Sequence, residues 1–212
     1  MSPPRKRARR GRPPSRAIHR LALFFALCGV GLTLYGAWIP IKARVAQFLI
    51  ARAWQTRLAS GAEIRPWPWA DTWPVARLHL PGQTAPLYVL AGASGQSMAF
   101  GPAHVTMSAR PGTADNVAIA GHRDTHFAAL ESLASGDDIF LETAAGSMRY
   151  RVDEVAVVHE SRVDLLERTG QAELTLITCF PFDAILPGGP LRYVVHAGAV
   201  EKTAKSEQAR RP

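Results

Sequence analysis

Leu174 to Phe182 reads LTLITCFPF. An apolar stretch with alternating Leu and Thr runs up to a polar end, Thr178 then Cys179, and Pro181 stops any further ladder, since proline has no N–H to donate. Two other strings share this form. Ala118 to Phe127, AIAGHRDTHF, is an apolar strand ending at Gly121 with His122 directly after it. Pro190 to Ala197, PLRYVVHA, opens a last strand on Arg192. Further strands are predicted over Ala76–Leu80, Leu87–Ala91, Val117–Ala120, Asp138–Thr143, Ser147–Val158, Glu173–Thr178 and Arg192–Gly198, rich in Val, Ile, Leu, Thr and Tyr and separated by Gly, Pro, Asp and Asn clusters. Short helical pieces fit at Phe127–Ser132 and Val163–Arg168. The spacing predicts a mainly β fold, a closed or nearly closed barrel of about eight strands filled by side chains.

One chemistry uses a cysteine, a histidine and an arginine each presented from a strand end. A thiolate attacks a peptide carbonyl, an imidazole manages the proton that must reach the leaving amine, and a cation holds the developing oxyanion. Cys179, His122 and Arg192 are the candidates, provided that the fold brings them together. Cys179 is the only cysteine beyond the N-terminal apolar stretch, so it has no disulfide partner in that part of the chain. A lone thiol in an oxidising compartment is either buried or used. The order, His before Cys, is the reverse of that in papain-like proteases.

Together these strings resemble the sortase family of cysteine transpeptidases. Thr175 to Cys179, TLITC, is similar to the TLxTC signature of the family's nucleophile strand; LRYVVHA is similar to its arginine strand and GHRDTHF to its histidine segment. Gly101, Pro102, His104, Pro111-Gly112 and Asn116 are similar to the approach to that histidine. The resemblance covers roughly residues 75–198, and the linker and Trp-rich segment resemble the proteobacterial single-pass branch. It implies an eight-stranded barrel and a transpeptidase that cleaves a C-terminal sorting motif, LPxTG-like, between Thr and Gly. The intermediate would be a thioester, passed on to an amine. Cys179 would be the nucleophile, His122 the acid and base, and Arg192 the carbonyl or oxyanion ligand. Thr178 would touch substrate or oxyanion, and Phe182 to Pro190, with Gly188 and Gly189, would border the substrate groove. The implied partners are secreted proteins bearing a sorting signal and an amine-bearing acceptor. His126 is read as a surface residue or one lying behind the site, Asp124 as a turn residue that could instead orient His122, and His104 as structural.

Charge and hydropathy place the rest. The net charge of +8 is carried by the first 20 residues, which hold eight of the 25 basic residues and no acid; the remaining 17 bases face 17 acids. A nucleic-acid-binding domain carries its basic excess on the folded part, so no nucleic-acid partner is expected. Leu21 to Ile39 is uncharged and, at about 1.5 Å per residue, long enough for the roughly 30 Å hydrocarbon core. With basic residues before it, the expectation is a single-pass anchor in the lipid bilayer of the cell membrane, N-terminus cytoplasmic and barrel extracytoplasmic, periplasmic in a Gram-negative cell. A cleaved signal peptide is the rival; the bulky Tyr35 fits its cleavage site badly. Cys28 lies inside this stretch and reads as a small apolar residue.

The expected organisation is a basic tail at 1–20, a membrane helix at 21–39, a linker helix and Trp/Pro-rich segment at 40–74, the catalytic domain at 75–198 and a polar tail at 199–212. In the linker, Val45, Phe48, Leu49 and Leu58 suggest the apolar side. There is no Gly-rich phosphate loop and no metal-ligand spacing, so neither cofactor nor metal is expected; Glu131, Asp137 and Asp138 could suggest calcium but read as solvated acids. Two other functions stay open: an exported cysteine protease that delivers its acyl group to water, and a non-enzymatic barrel tethered to the membrane as a binding module.

Overall fold

The computed structural model describes residues 16–186 and 188–200. The expected tail at 1–20 lies largely, and that at 199–212 almost wholly, outside them. Two compact units are distinguished, Met1–Arg44 and Val45–Pro212. A single helix, α1 (Arg16–Ser60), contains Pro40. Its portion in the first unit carries its apolar side chains, Leu21 to Ile39, exposed to the surroundings.

The second unit is a closed barrel of eight strands: β1 (Pro74–His79), β2 (Leu87–Ala91), β3 (Ala103–His104), β4 (Asn116–Ala120), β5 (Asp138–Thr143), β6 (Gly146–His159), β7 (Glu173–Cys179) and β8 (Leu191–Ala199). Around the barrel the order is β1-β2-β3-β4-β7-β8-β6-β5, closing β5 onto β1. Closure leaves no open edge, and alternate residues of each strand fill the interior. Ala76 and Leu78, Val117 and Ile119, Ile139 and Leu141, Tyr150 and Val152, Leu174 and Leu176, and Val195 and Ala197 form one buried cluster. The barrel predicted from the strand spacing is thus the fold observed. The predicted helical pieces are short 3-10 turns at Ala128–Ser132 and Val163–Leu166. The two-residue β3 and the one-turn helix α2 (Gly95–Met98) were not predicted; neither is long enough to show a period.

Much of the segment read as a linker helix packs within the barrel unit. From Val45 onward it belongs to the barrel unit. The buried helix side is Ala46, Ile50, Ala53 and Trp54, whereas Val45, Phe48 and Leu58 are exposed. Alanines at 46 and 53 permit close approach, and hydropathy alone does not single them out. Ile50 lies against Leu90 and Ala103, with Trp67 and Phe100 packed around them, and Gln47 Nε2 donates to the Phe100 carbonyl at 2.5 Å. In the Trp/Pro-rich stretch, Trp67 meets Phe100 edge to face at 5.0 Å, and Thr72 Oγ1 donates to the Ala91 carbonyl.

β4 and β7 run parallel, in step from Asn116↔Glu173 to Ala120↔Ile177. The side chain of Asn116, buried at the outer face of this pair, secures the connection between β6 and β7. Its Nδ2 donates to the carbonyls of Leu165 (2.9 Å) and Glu167 (3.0 Å), while its Oδ1 accepts from Thr175 Oγ1 at 2.8 Å. Asp115 beside it accepts from the backbone N–H groups of Asn116, Thr169 and Gly170, and these bonds hold its carboxyl below the usual carboxylate range. Asn116→Ala strands a buried hydroxyl and two carbonyls. We expect it to cost about 1–3 kcal/mol in urea unfolding and to increase backbone hydrogen exchange first at 163–170.

Candidate active site

Because β4 and β7 are parallel, their C-terminal ends reach the same rim of the barrel. The ladder continues past the last pair: the Gly121 N–H donates to the Ile177 carbonyl at 3.1 Å, and Thr178 Oγ1 donates to the Gly121 carbonyl at 2.8 Å across the same 57-residue offset. His122 follows Gly121 directly, just past the end of β4 at this rim. On the other side β8 runs antiparallel to β7, and its register pairs Cys179 with Arg192. Cys179 and Arg192 are therefore neighbours across β7 and β8, roughly 4.8 Å apart between strands, and with His122 after the end of the adjoining β4 they make a row of strand ends in the order β4-β7-β8.

Strand alternation decides which way the row faces. Leu174 and Leu176 point into the barrel, so Ile177 and Cys179 point outward; Val195 and Ala197 point inward, so Arg192, Val194 and His196 point outward. Cys179 is half-buried and unbridged, and His122 is exposed. The sulfur is not sealed inside the barrel, and the guanidinium opens on its side.

Gly121 must be glycine for steric reasons. A Cβ there would stand 2.9 Å from the ring of Phe127, which is buried under the strand end. The Phe127 N–H donates back to the His122 carbonyl at 3.0 Å, which fixes the turn that follows the histidine. The His122 ring has no hydrogen-bond partner among the described residues. Asp124, which could have oriented it, instead accepts from Arg123 Nε at 3.3 Å.

Arg192 is held in place. Its Nη1 donates to the carbonyls of Gly189 (2.8 Å) and Leu191 (2.9 Å), and its Nη2 to Glu160 Oε2 at 2.5 Å. Nε–H and one Nη2–H are left without an acceptor among the described residues. A guanidinium braced in this way with donors to spare suits an oxyanion.

The expected groove residues divide. Thr178 is 2 % exposed and its hydroxyl donates to the Gly121 carbonyl, so the side chain joins the ends of two strands. Phe182 packs against the barrel core, 5.0 Å from the ring of Tyr193 and 6.4 Å from that of Phe180. Gly188 and Gly189 are exposed and take φ of +92° and +108°, a region that side chains disfavour. Glu160, Arg123 and Gly121 were not singled out from the sequence as site residues. The only signal for them was position, beside a strand end or beside His122.

Next to the row, Ala156, Val158, Leu165 and Val194, rimmed by Glu154, Arg162 and His196, line a cavity of about 310 Å³ on the outer face of β6 and β8. Val158, one of its lining residues, is paired across the strands with Arg192. Of the acids weighed for calcium, Asp137 and Asp138 are otherwise engaged. Asp138 pairs with Arg149 at 2.6 Å and Arg151 at 3.3 Å, and Asp137 caps a turn at Ala134. Among the described residues no group of three or more His, Cys, Asp and Glu could hold a metal ion.

A family model described as Sortase domain matches residues 78–200, more than half of the chain. The chain belongs to the sortase family. It is 27% identical over 124 residues to sortase D of Bacillus subtilis (strain 168) and 30% identical over 135 residues to sortase A of Bacillus anthracis, covering 58% and 62% of this chain. In each case the match spans 62% of the relative's own length. Among solved structures, sortase A from Corynebacterium diphtheriae superposes with a TM-score of 0.57 at 26% identity, covering 66% of each chain. The Clostridium perfringens sortase D5 transpeptidase superposes at 0.60 over 74% of this chain and 99% of that one, with 20% identity, a likeness of fold.

Two further sortase-domain histidines are shifted downward. Burial, above all, lowers His104, whose Nε2 lies 2.9 Å from the Ala109 carbonyl, and the neighbouring Arg110 charge adds to it. Burial likewise lowers His126, and the adjacent His122 adds to it. Both rings titrate below the usual histidine value of 6.5 in the folded protein, so the unfolded chain binds more protons there. Their contribution to stability is complete above that value and is lost as the pH falls below it. We expect the urea midpoint to fall between about pH 7.5 and pH 5, and the NMR titration of His126 to move upward in His122→Ala.

Proposed function

We propose that this chain is a membrane-anchored cysteine transpeptidase that cleaves a C-terminal sorting motif, LPxTG-like, and transfers the acyl part to an amine. The observation that carries this reading is the row His122–Cys179–Arg192, with the thiol in the middle, at the open rim of the barrel. The Cys179 thiolate attacks the carbonyl carbon of the scissile Thr–Gly bond, and the oxyanion that forms takes hydrogen bonds from the Arg192 guanidinium. His122 gives a proton to the leaving amine as the C–N bond breaks, leaving a thioester on Cys179. The incoming amine loses its proton to His122 as it attacks the thioester, and the thiolate is released. The groove over Ala156, Val158, Leu165 and Val194 offers apolar walls to the Leu and Pro side chains of such a motif.

The helix in the first unit supports the anchor. It is long and apolar enough to cross a membrane, and the sequence before it is basic. We read the barrel as extracytoplasmic and its partners as secreted proteins that bear the motif and an acceptor amine.

The test incubates the full chain in detergent with an LPxTG peptide and a small amine, and identifies products by mass spectrometry. We expect the amide of the amine, and none from Cys179→Ala. Arg192→Ala should lower kcat by about 10²–10³-fold. Only the free acid, at any amine concentration, would make the protein a hydrolase instead. Selective iodoacetamide labelling of Cys179 over Cys28 checks the nucleophile independently.

A further inference from the structure

Arg123 is buried, 4% exposed, and takes no part in the chemistry proposed above. Among the described residues its one ion pair is with Asp124, which is 67% exposed and stands 3.3 Å from Nε. Burying a guanidinium with so little compensation is costly, so what the group holds matters. Its Nη2 donates to two carbonyls of one loop, Ala184 at 2.9 Å and Leu186 at 3.0 Å. That loop joins β7 to β8, with Cys179 at one end and Arg192 at the other. Arg123 itself follows His122 in the chain. A single side chain thus ties the histidine turn to the segment between the other two members of the row.

The loop has little else to hold its middle. Its start is anchored by the ring contacts of Phe180 and Phe182 with Tyr193. Beyond them Ile185 is 97% exposed and Leu186 79% exposed, so apolar burial does not fix this part. Among the described residues, the two bonds from Arg123 are the only hydrogen bonds that reach 184–186 from elsewhere in the barrel; a 3.5 Å turn bond from the Ala184 N–H to the Pro181 carbonyl is local. Further along the same loop, the Gly189 carbonyl braces Arg192 Nη1.

We propose that Arg123 is a positioning residue, fastening the β7–β8 loop so that the Gly189 carbonyl keeps the Arg192 guanidinium aimed at the reacting carbonyl. This rests on the transpeptidase reading for its kinetic consequence, though not for the loop itself. Arg123 acts through Arg192, and an oxyanion ligand is engaged chiefly in the transition state, so its loss lowers kcat with little change in KM.

The experiment uses the full chain in detergent with the peptide and amine of the preceding section. Arg123→Met should lower kcat by roughly tenfold to a hundredfold, part of the about 10²–10³-fold that an oxyanion donor is worth. Arg123→Lys, which keeps the charge and can reach one carbonyl, should fall between. Hydrogen exchange at 183–191 should rise at least about tenfold in Arg123→Met, with 173–178 unchanged as the control for folding. In an Arg192→Lys background, adding Arg123→Met should change kcat by less than about threefold, because the two act as a unit. A loop as protected as in the wild type, or a full multiplicative loss in the double variant, overturns the proposal. Should Arg123→Met fail to fold, the Lys variant carries the same three measurements. A wild-type chain inactive toward peptide and amine would overturn the transpeptidase reading alone, while the exchange data would still decide whether Arg123 holds the loop.

Discussion

The parallel pairing of β4 with β7 is the constraint from which the site follows. Parallel strands end at the same rim, and here the two that pair are the strand that leads into Gly121-His122 and the strand that ends in Thr178-Cys179. An antiparallel arrangement would have sent one of these ends to the far side of the barrel. β8, antiparallel to β7, starts where β7 stops, which brings Arg192 to the same level. Backbone hydrogen bonds on both sides of β7 make this spacing rigid, and rigid strand ends hold reacting groups more closely than loops do.

Around this fixed row, loops are held by polar side chains rather than by apolar packing. Asp115 and Asn116, at the head of β4, hold the connection between β6 and β7 through carbonyls and N–H groups at 165–170. Arg123, just past the end of β4, holds the loop between β7 and β8. Glu160 and Gly189, one from each loop, meet on Arg192. β4 thus carries a tether for a loop at each end, and the groove along β6 and β8 has its walls attached to the strand that presents the histidine. Hydrogen bonds of this sort are directional, so they fix loop geometry where exposed side chains such as Ile185 cannot.

The second part of α1 also serves the barrel. Ile50 and Trp54 are buried in the barrel unit, and Arg77 lies over the Trp54 ring at 5.9 Å while it pairs with Glu142. A helix read as a spacer is therefore part of the folded unit, and the barrel has an outer layer on that side as well as an interior core.

The alternating apolar strands, the glycines and prolines between them and the polar ends at His122, Cys179 and Arg192 were legible in the sequence, because a strand shows its inward and outward residues at a period of two. The uncharged stretch from Leu21 to Ile39 was equally legible, because length and apolarity are additive along the chain. Invisible there were the two-residue β3, the burial of Ala46 and Ala53 beside Ile50 and Trp54, the engagement of the Thr178 hydroxyl with Gly121, and the bonds from Arg123 to Ala184 and Leu186. Each depends on residues distant in sequence, and no local period records which distant segment a side chain will meet. The residues alone pointed to groups suited to thiol chemistry and to strands that would present them. That the ends of β4 and β7 and the start of β8 share one rim could not be read there, since strand order and direction around a closed barrel are set by long-range pairing.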